Sequence, residues 1–297
     1  MNSPSPIFSI IIPTYNRGHL IGKTIESVIG QEFKDFEILV VDDGSTDNTE
    51  QVVLAFGDRR IQYLRKQNGE RGAARNYGAA RAKGKYINFF DSDDLMYPNH
   101  LLVATEVIAS ANNPEFFHLA YDHQRQDGVV TRKVNNFHDK IQYEILFDNK
   151  LSCNGVFLRS DIALKYRFEE DRVLASSEDW ELWIRLICCF KLFYSNNITS
   201  SVVNHDQRSL FTIPAQKVIE RDLLLIEKLK YNDSVLKTYG KAFQKYIAQR
   251  YTFFMLCLSE EKKKIEVWRW GIRAVFTYPL IITSKRFLAS IKNSILR

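Results

Sequence analysis

Through the first ninety residues, short apolar runs alternate with segments whose apolar residues return every third or fourth position. Residues 7–13, Ile-Phe-Ser-Ile-Ile-Ile-Pro, are too few for a helix and rich in β-branched side chains, which predicts a strand closed by Pro13. Leu20, Ile21, Thr24, Ile25, Val28 and Ile29 fall at helical spacing and predict a first helix. A second strand is predicted over 36–41, left by the polar turn Asp42-Asp43-Gly44-Ser45, with Ser45 or Thr46 capping a second helix to about Phe56. A third strand over 61–64, a loop at 69–72, a helix over 73–82 stopped by Gly84, and a strand over 86–90 complete the series. Alternation of this kind predicts a parallel sheet with helices on its faces.

After Pro98 the pattern loosens. A helix is predicted over 101–110 and a strand over 115–121, paired with 129–132 across Gln126-Asp127-Gly128. Residues 143–147 form a short amphipathic piece, 153–158 a further strand, and 166–177 a polar, mobile loop. Trp180, Trp183, Ile184 and Ile187 place a helix from about Asp179. Residues 198–203 predict a strand and 214–258 two helices, the first with Leu223, Leu224, Ile226 and Leu229 on one face.

Composition narrows the class without naming it. The 297 residues are 45% hydrophobic and 26% charged, as in an ordinary globular protein. Cys153, Cys188, Cys189 and Cys257 show no metal-ligand spacing and read as reduced thiols. Neither a signal-peptide pattern nor an apolar run of about 20 residues is present, so a cytoplasmic location is expected. The net charge of +6 is concentrated: residues 260–297 hold nine Lys and Arg against three Glu, which accounts for all of it. The remainder is neutral, so no nucleic-acid partner is expected.

Three predicted strand ends carry polar residues able to meet one ligand: Thr14-Tyr15, Asp42-Asp43 and Asp91-Ser92-Asp93-Asp94. Unpaired carboxylates cannot continue a strand into a core. The last group must therefore lie at the strand's carboxyl end, where open α/β sheets bind ligands. Acid oxygens two residues apart suit Mg²⁺ or Mn²⁺ with diphosphate oxygens completing the shell, and equally suit a solvated turn. Neither the dinucleotide fingerprint nor a Walker A loop occurs. A phosphatase aspartate motif at Asp43 fails because Val41 stands where its nucleophile belongs, and an EF-hand at Asp91 fails because Met96 stands where glycine is needed.

Ile12-Pro13-Thr14-Tyr15-Asn16, Val41-Asp42-Asp43-Gly44-Ser45-Thr46-Asp47, Ala74-Arg75-Asn76 and Asp91-Ser92-Asp93-Asp94, in this order and spacing, resemble family 2 glycosyltransferases. The resemblance is close over about the first hundred residues and loose to about 210. It implies an α/β chain of GT-A fold: a Rossmann-like mixed sheet flanked by helices, with a C-terminal helical extension. Residues 1–210 would be the catalytic domain, with a nucleotide-sugar half (1–97) and an acceptor half (98–210). Residues 211–297 would be a helical region ending in a basic amphipathic tail, 260–297.

The resemblance also implies roles. Pro13, Thr14 and Tyr15 would line a base pocket, or Tyr15 only cover the sheet end. Asp43 would accept the uracil N3–H, with Asp42 as helix cap or the two exchanged. Arg75 would meet the diphosphate or nearby carboxylates, or lie solvated on its helix. Asp91 and Ser92 would touch the nucleotide, Asp91 sharing a Mn²⁺ or Mg²⁺ ion with Asp93, while Asp94 holds the turn. Asp179 would be the general base, kept ionised by its helix N-terminus, or would form a capping box with Ser176. His205, in Asn204-His205-Asp206, would be a metal ligand or a plain surface histidine.

The function implied is inverting transfer of a sugar from a nucleotide-sugar, usually a UDP-sugar, to an acceptor hydroxyl in surface-polysaccharide assembly. A nucleotidyltransferase and a non-catalytic sugar-nucleotide binding module are the rival classes. The tail adds a partner. Ile265, Trp268, Ile272 and Val275 or Phe276 align on one helical face, and Phe287, Leu288, Ile291 and Ile295 on another, beside Lys and Arg. Such helices suit the plane of an anionic membrane at its inner face, where a lipid-linked acceptor would be met, or else pack on the rest of the chain.

Overall fold

The computed structural model describes residues 5–205 and 214–296. The chain divides into two compact units, Met1–Arg208 and Ser209–Arg297.

The first unit is a mixed sheet between helices. In chain order it runs β1 (Phe8–Thr14), α1 (Ile21–Ile29), β2 (Phe36–Asp42), α2 (Thr49–Leu54), β3 (Ile61–Arg65), α3 (Glu70–Ala79), β4 (Tyr86–Phe89), β5 (Leu95–Met96) and α4 (His100–Ser110). There follow β6 (Phe116–Arg125), β7 (Val130–Val134), α5 (Ile141–Glu144), β8 (Val156–Arg159), α6 (Ser160–Lys165), α7 (Glu178–Ile187) and β9 (Phe193–Asn204). The strand order is β3-β2-β1-β4-β8-β6-β9-β5, with β7 paired to β6. From β3 to β4 every pairing is parallel, as the alternating pattern predicts. At β8 the sheet turns antiparallel. β1 and β2 are buried along their whole length, which is why they read as continuous Ile, Val and Leu runs.

Register brings the polar strand ends together. Thr14 pairs with Asp42, and Phe89 pairs with Ile11, so Asp91 emerges level with Pro13 at the same edge of the sheet.

Several expectations need correction. The second helix begins at Thr49 with no side-chain cap, because Ser45 and Thr46 are engaged with Asn16 instead. The third helix ends at Ala79, and Gly84 does not stop it. Gly84 is needed because a Cβ there would collide with the backbone of Phe8 and Ser9. Segment 166–177 is tied down. Asn76 hydrogen-bonds both the N–H (3.0 Å) and the carbonyl (2.9 Å) of Phe168, and Arg172 reaches the Asn68 carbonyl at 2.8 Å.

The second unit holds α8 (Ala215–Lys230), α9 (Asp233–Tyr239), α10 (Lys241–Glu260), α11 (Lys264–Thr277) and α12 (Lys285–Leu296). Three helices thus occupy 214–258 where two are expected; Gly240, at φ 47°, breaks α9 from α10 in a conformation that glycine tolerates. The core of this unit gathers Ala215, Ile219, Phe254, Met255, Leu258 and Val267, with Trp270, Phe287 and Ile291 packed against it. Phe287 and Ile291 therefore face inward, which is the packing alternative for this stripe and not the membrane-facing one.

Candidate active site

The loop after β1 is fastened to the loop after β2. The Asn16 N–H donates to Ser45 Oγ (2.9 Å), the Gly18 N–H to Asp47 (3.0 Å), and the Asp43 N–H to the Thr14 carbonyl (2.9 Å). Asn16 is held at φ 51°, a strained setting for a non-glycine residue. These bonds account for Ser45 and Asp47 as scaffold. Pro13 and Thr14 are buried, and among the described residues the Thr14 hydroxyl has no hydrogen-bond partner. Tyr15 is 48% exposed at this edge.

Of the two aspartates, Asp42 is fully committed inside: it accepts from the Ser45 N–H (2.7 Å) and from the Tyr63 hydroxyl, and it caps no helix. Asp43 accepts from Lys66 Nζ (2.7 Å) and the Gly69 N–H (2.9 Å), anchoring the loop that starts α3.

Arg75 is only 2% exposed, so the solvated reading fails. Its guanidinium bridges Asp91 (2.8 Å) and Glu178 (2.7 Å), joining α3, the end of β4 and the start of α7. The guanidinium is thus paired on both sides, which offsets the cost of burying it. Beside it, Asp179 is partly buried. Its Oδ1 accepts from the Trp180 N–H (2.7 Å) and its Oδ2 from Asn149 (3.2 Å), with Cys153 Sγ at 4.0 Å. Burial, and next the neighbouring Glu178 charge, push the Asp179 carboxyl up to about 6, against the pull of Arg75 and the Trp180 N–H. The expected lowering by the helix N-terminus is thus outweighed. No capping box forms: Ser177 is the N-cap, without a side-chain bond, and Ser176 is held at φ 75°.

The second cluster lies on the same turn. Asp93 Oδ2 sits 2.9 Å from His205 Nε2 and 3.9 Å from Arg17 Nε. His205 is buried, so it is not a plain surface histidine, while Asp206 lies outside the described residues. Ser92 is buried in the turn. Asp94 holds it, accepting from Asn154 Nδ2 (2.7 Å) and the Val203 N–H (2.8 Å), while Asn154 Oδ1 accepts the Asp91 N–H (3.0 Å). Among the described residues, no group of three or more His, Cys, Asp or Glu is assembled to hold an ion alone. The Asp93–His205 pair supplies two donors, which fits an ion of the Mg²⁺ or Mn²⁺ kind that takes its other ligands from substrate phosphate and water.

Sequence reasoning missed Glu178, Asn154, Lys66 and Arg17. For Glu178 a signal existed: adjacent acids opening a helix need a cation when buried, and Arg75 was already a candidate. Nothing marked Asn154.

The family model for Glycosyl transferase family 2 matches residues 9–166. The chain belongs to that family. An uncharacterized glycosyltransferase of Rickettsia typhi is 30% identical over 217 residues, 71% of this chain and 68% of its own length. The Escherichia coli UDP-Glc:alpha-D-GlcNAc-diphosphoundecaprenol beta-1,3-glucosyltransferase WfgD is 33% identical over 61% of this chain and 70% of its own. A Rickettsia bellii relative is 31% identical over 76% of this chain, a match that spans only 36% of that protein. Staphylococcus aureus TarS residues 1–349, solved with UDP-GlcNAc, superposes with a TM-score of 0.72 at 20% identity, covering 97% of this chain and 88% of that one. A Pyrobaculum calidifontis mannosyltransferase solved with GDP-Man and Mn²⁺ superposes at 0.58 and 14% identity over 98% and 87%. The fold is GT-A.

Proposed function

We propose that this chain is an inverting glycosyltransferase. It moves a sugar from a UDP-sugar to a hydroxyl of a lipid-carried saccharide, in surface-polysaccharide assembly. The observation that carries the reading is Asp179, a carboxylate titrating near 6 and set beside the Arg75 bridge to Asp91. A base with that pKa is mostly ionised at neutral pH yet basic enough to take a proton. As the acceptor oxygen bonds to the anomeric carbon, its proton passes to Asp179, and the carbon–oxygen bond to the diphosphate breaks with its electron pair leaving on UDP. Attack opposite the leaving group inverts the centre, with no covalent intermediate on the protein.

Tyr15 offers a half-exposed ring to the base, Asp43 a carboxylate acceptor and Thr14 an unpaired hydroxyl. Arg75 holds Asp91 toward the nucleotide. A divalent cation, held by Asp93 with His205, would neutralise charge on the departing diphosphate. The choice of UDP and of a lipid-linked acceptor leans on the ligands of TarS and the printed specificity of WfgD.

The test is a panel of UDP-sugars with Mn²⁺ or Mg²⁺, reading UDP release and the anomeric configuration of the product. Inverted product with UDP release is expected. Pyrophosphate release would assign a nucleotidyltransferase, and metal-dependent UDP binding without turnover on any acceptor would leave a binding module.

A further inference from the structure

We infer that the outward face of α11 is a docking surface for an anionic lipid bilayer. α11 has two apolar sides. Val267, Gly271 and Ala274 are buried, and Val267 joins Phe254, Met255 and Leu258 of α10 in the core of the second unit. On the other side stand Ile265 (73% exposed), Trp268 (48%), Ile272 (55%) and Phe276 (86%). Their spacing of three, four and four residues makes one continuous stripe. Singly scattered surface apolar residues are ordinary, whereas a stripe with two aromatics requires a covering. Further along the chain Leu280, Ile282 and Leu288 are exposed as well.

The charges beside the stripe say what covers it. Arg269 and Arg273 follow Trp268 and Ile272 by one position, so they run along its flank. Among the described residues neither has an ion-pair partner, and the Arg273 guanidinium lies 4.6 Å from the Trp270 ring centre, at the edge of the apolar surface. Lys262 and Lys264 stand exposed at the helix start. Residues 260–297, of which α11 is one part, hold nine Lys and Arg against three Glu. A bilayer interface satisfies both halves: Ile, Trp and Phe enter the acyl boundary while cationic heads stay at phosphate level on their flexible stems. Two copies paired across this face would set their like-charged flanks together, which is unfavourable. No helix among the described residues is long and apolar enough to cross a membrane, so the attachment is one of lying on the surface.

The experiment uses the full chain and two vesicle types: equal parts phosphatidylglycerol and phosphatidylcholine, or phosphatidylcholine alone. Co-sedimentation gives the partition, and a blue shift of tryptophan emission reports insertion. The parent should bind the anionic vesicles and release as salt rises. W268S/F276S should lose more than about tenfold in partition, since two aromatic rings leave the interface. R269Q/R273Q should lose about twenty-five-fold, at about fivefold per cation near an anionic surface. These positions are exposed, so melting temperatures and UDP-induced stabilisation should match the parent in both variants. Parent-like binding by both variants, or binding to neutral vesicles that ignores salt, would overturn the inference. So would a parent that binds no vesicles but is dimeric, with W268S/F276S monomeric; that result would make the face a contact between two copies.

Discussion

The turn after β4 and the outer face of α11 break the usual rule of burial in opposite directions. At the turn, charged groups are inside: Arg75, Glu178 and Asp94 are almost wholly buried, each held by a partner of fixed geometry. On α11, large apolar groups are outside, with Phe276 the most exposed of them. Both arrangements cost stability in isolation. A chain keeps such features where they serve something other than folding. The difference lies in what completes each. The buried charges complete one another, and their surplus capacity, in Asp93, Tyr15 and the Thr14 hydroxyl, points at a small polar ligand. The α11 stripe has no completion within its own unit.

The comparison breaks first at Asp179. Asp179→Asn should lower turnover by about two to four orders of magnitude while UDP binding persists, because a general base contributes about that much. The same change should raise stability at neutral pH. The folded carboxyl titrates at about 6 against an ordinary 3.8, so the folded state holds its proton more tightly than the unfolded chain does. That stabilisation is complete below about pH 4 and lost as pH rises through about 6. At neutral pH the ionised group is then a cost, and the amide relieves about 1–3 kcal/mol of it. For the parent, kcat/KM should rise with pH along a limb near 6. A variant that keeps turnover, or that melts lower at neutral pH, would make Asp179 a structural residue.

Next in size is Arg75→Met. Removing the guanidinium leaves the buried Glu178 with only Arg71, 4.0 Å away, as a cation, which should cost about 3–5 kcal/mol, read as a fall in the urea midpoint. Since Arg75 holds the Asp179 carboxyl down, whatever activity survives should show its acid limb moved above 6. An unmoved limb would separate the two residues. His205→Ala is gentler. It removes the partner 2.9 Å from Asp93 and should weaken Mn²⁺-dependent UDP stabilisation by about tenfold or more, with metal-free UDP binding little changed. Equal loss with and without metal would remove His205 from the metal site.

The contrast also explains what the sequence could reveal. Buried parallel strands such as β1 and β4 are legible because continuous apolar runs admit few other fates. The turn residues were legible as a set because a carboxylate cluster cannot be core. Their partners were not. Arg75 and Glu178 are 103 positions apart, and no local pattern links them. Asn154 reads as an ordinary turn asparagine, yet it holds both Asp91 and Asp94. The raised Asp179 titration was misjudged for the same reason: the helix terminus is visible in sequence, but the burial and the Glu178 charge that outweigh it arise only in the fold. On α11 the period was plain, but two apolar sides satisfy it, and choosing which faces inward needs the helix packed against α10.

The smallest effect sharpens the comparison on α11 itself. Val267 and Phe276 sit on opposite sides of one helix, the first fully buried and the second 86% exposed. Val267→Ala removes two methyl groups from a packed core, where surrounding atoms relax only in part, and should cost about 1–3 kcal/mol. Phe276→Ser removes far more apolar surface, yet from solvent. Serine and phenylalanine have similar helix propensities, so its stability should stay within about 0.5 kcal/mol of the parent. Urea melts of the two variants in vesicle-free buffer would check this. The larger truncation having the smaller effect is the signature of an apolar face kept for a partner outside the unit. A Phe276→Ser loss equal to that of Val267→Ala would instead mean that this side is already covered within the chain, and the stripe would then be core.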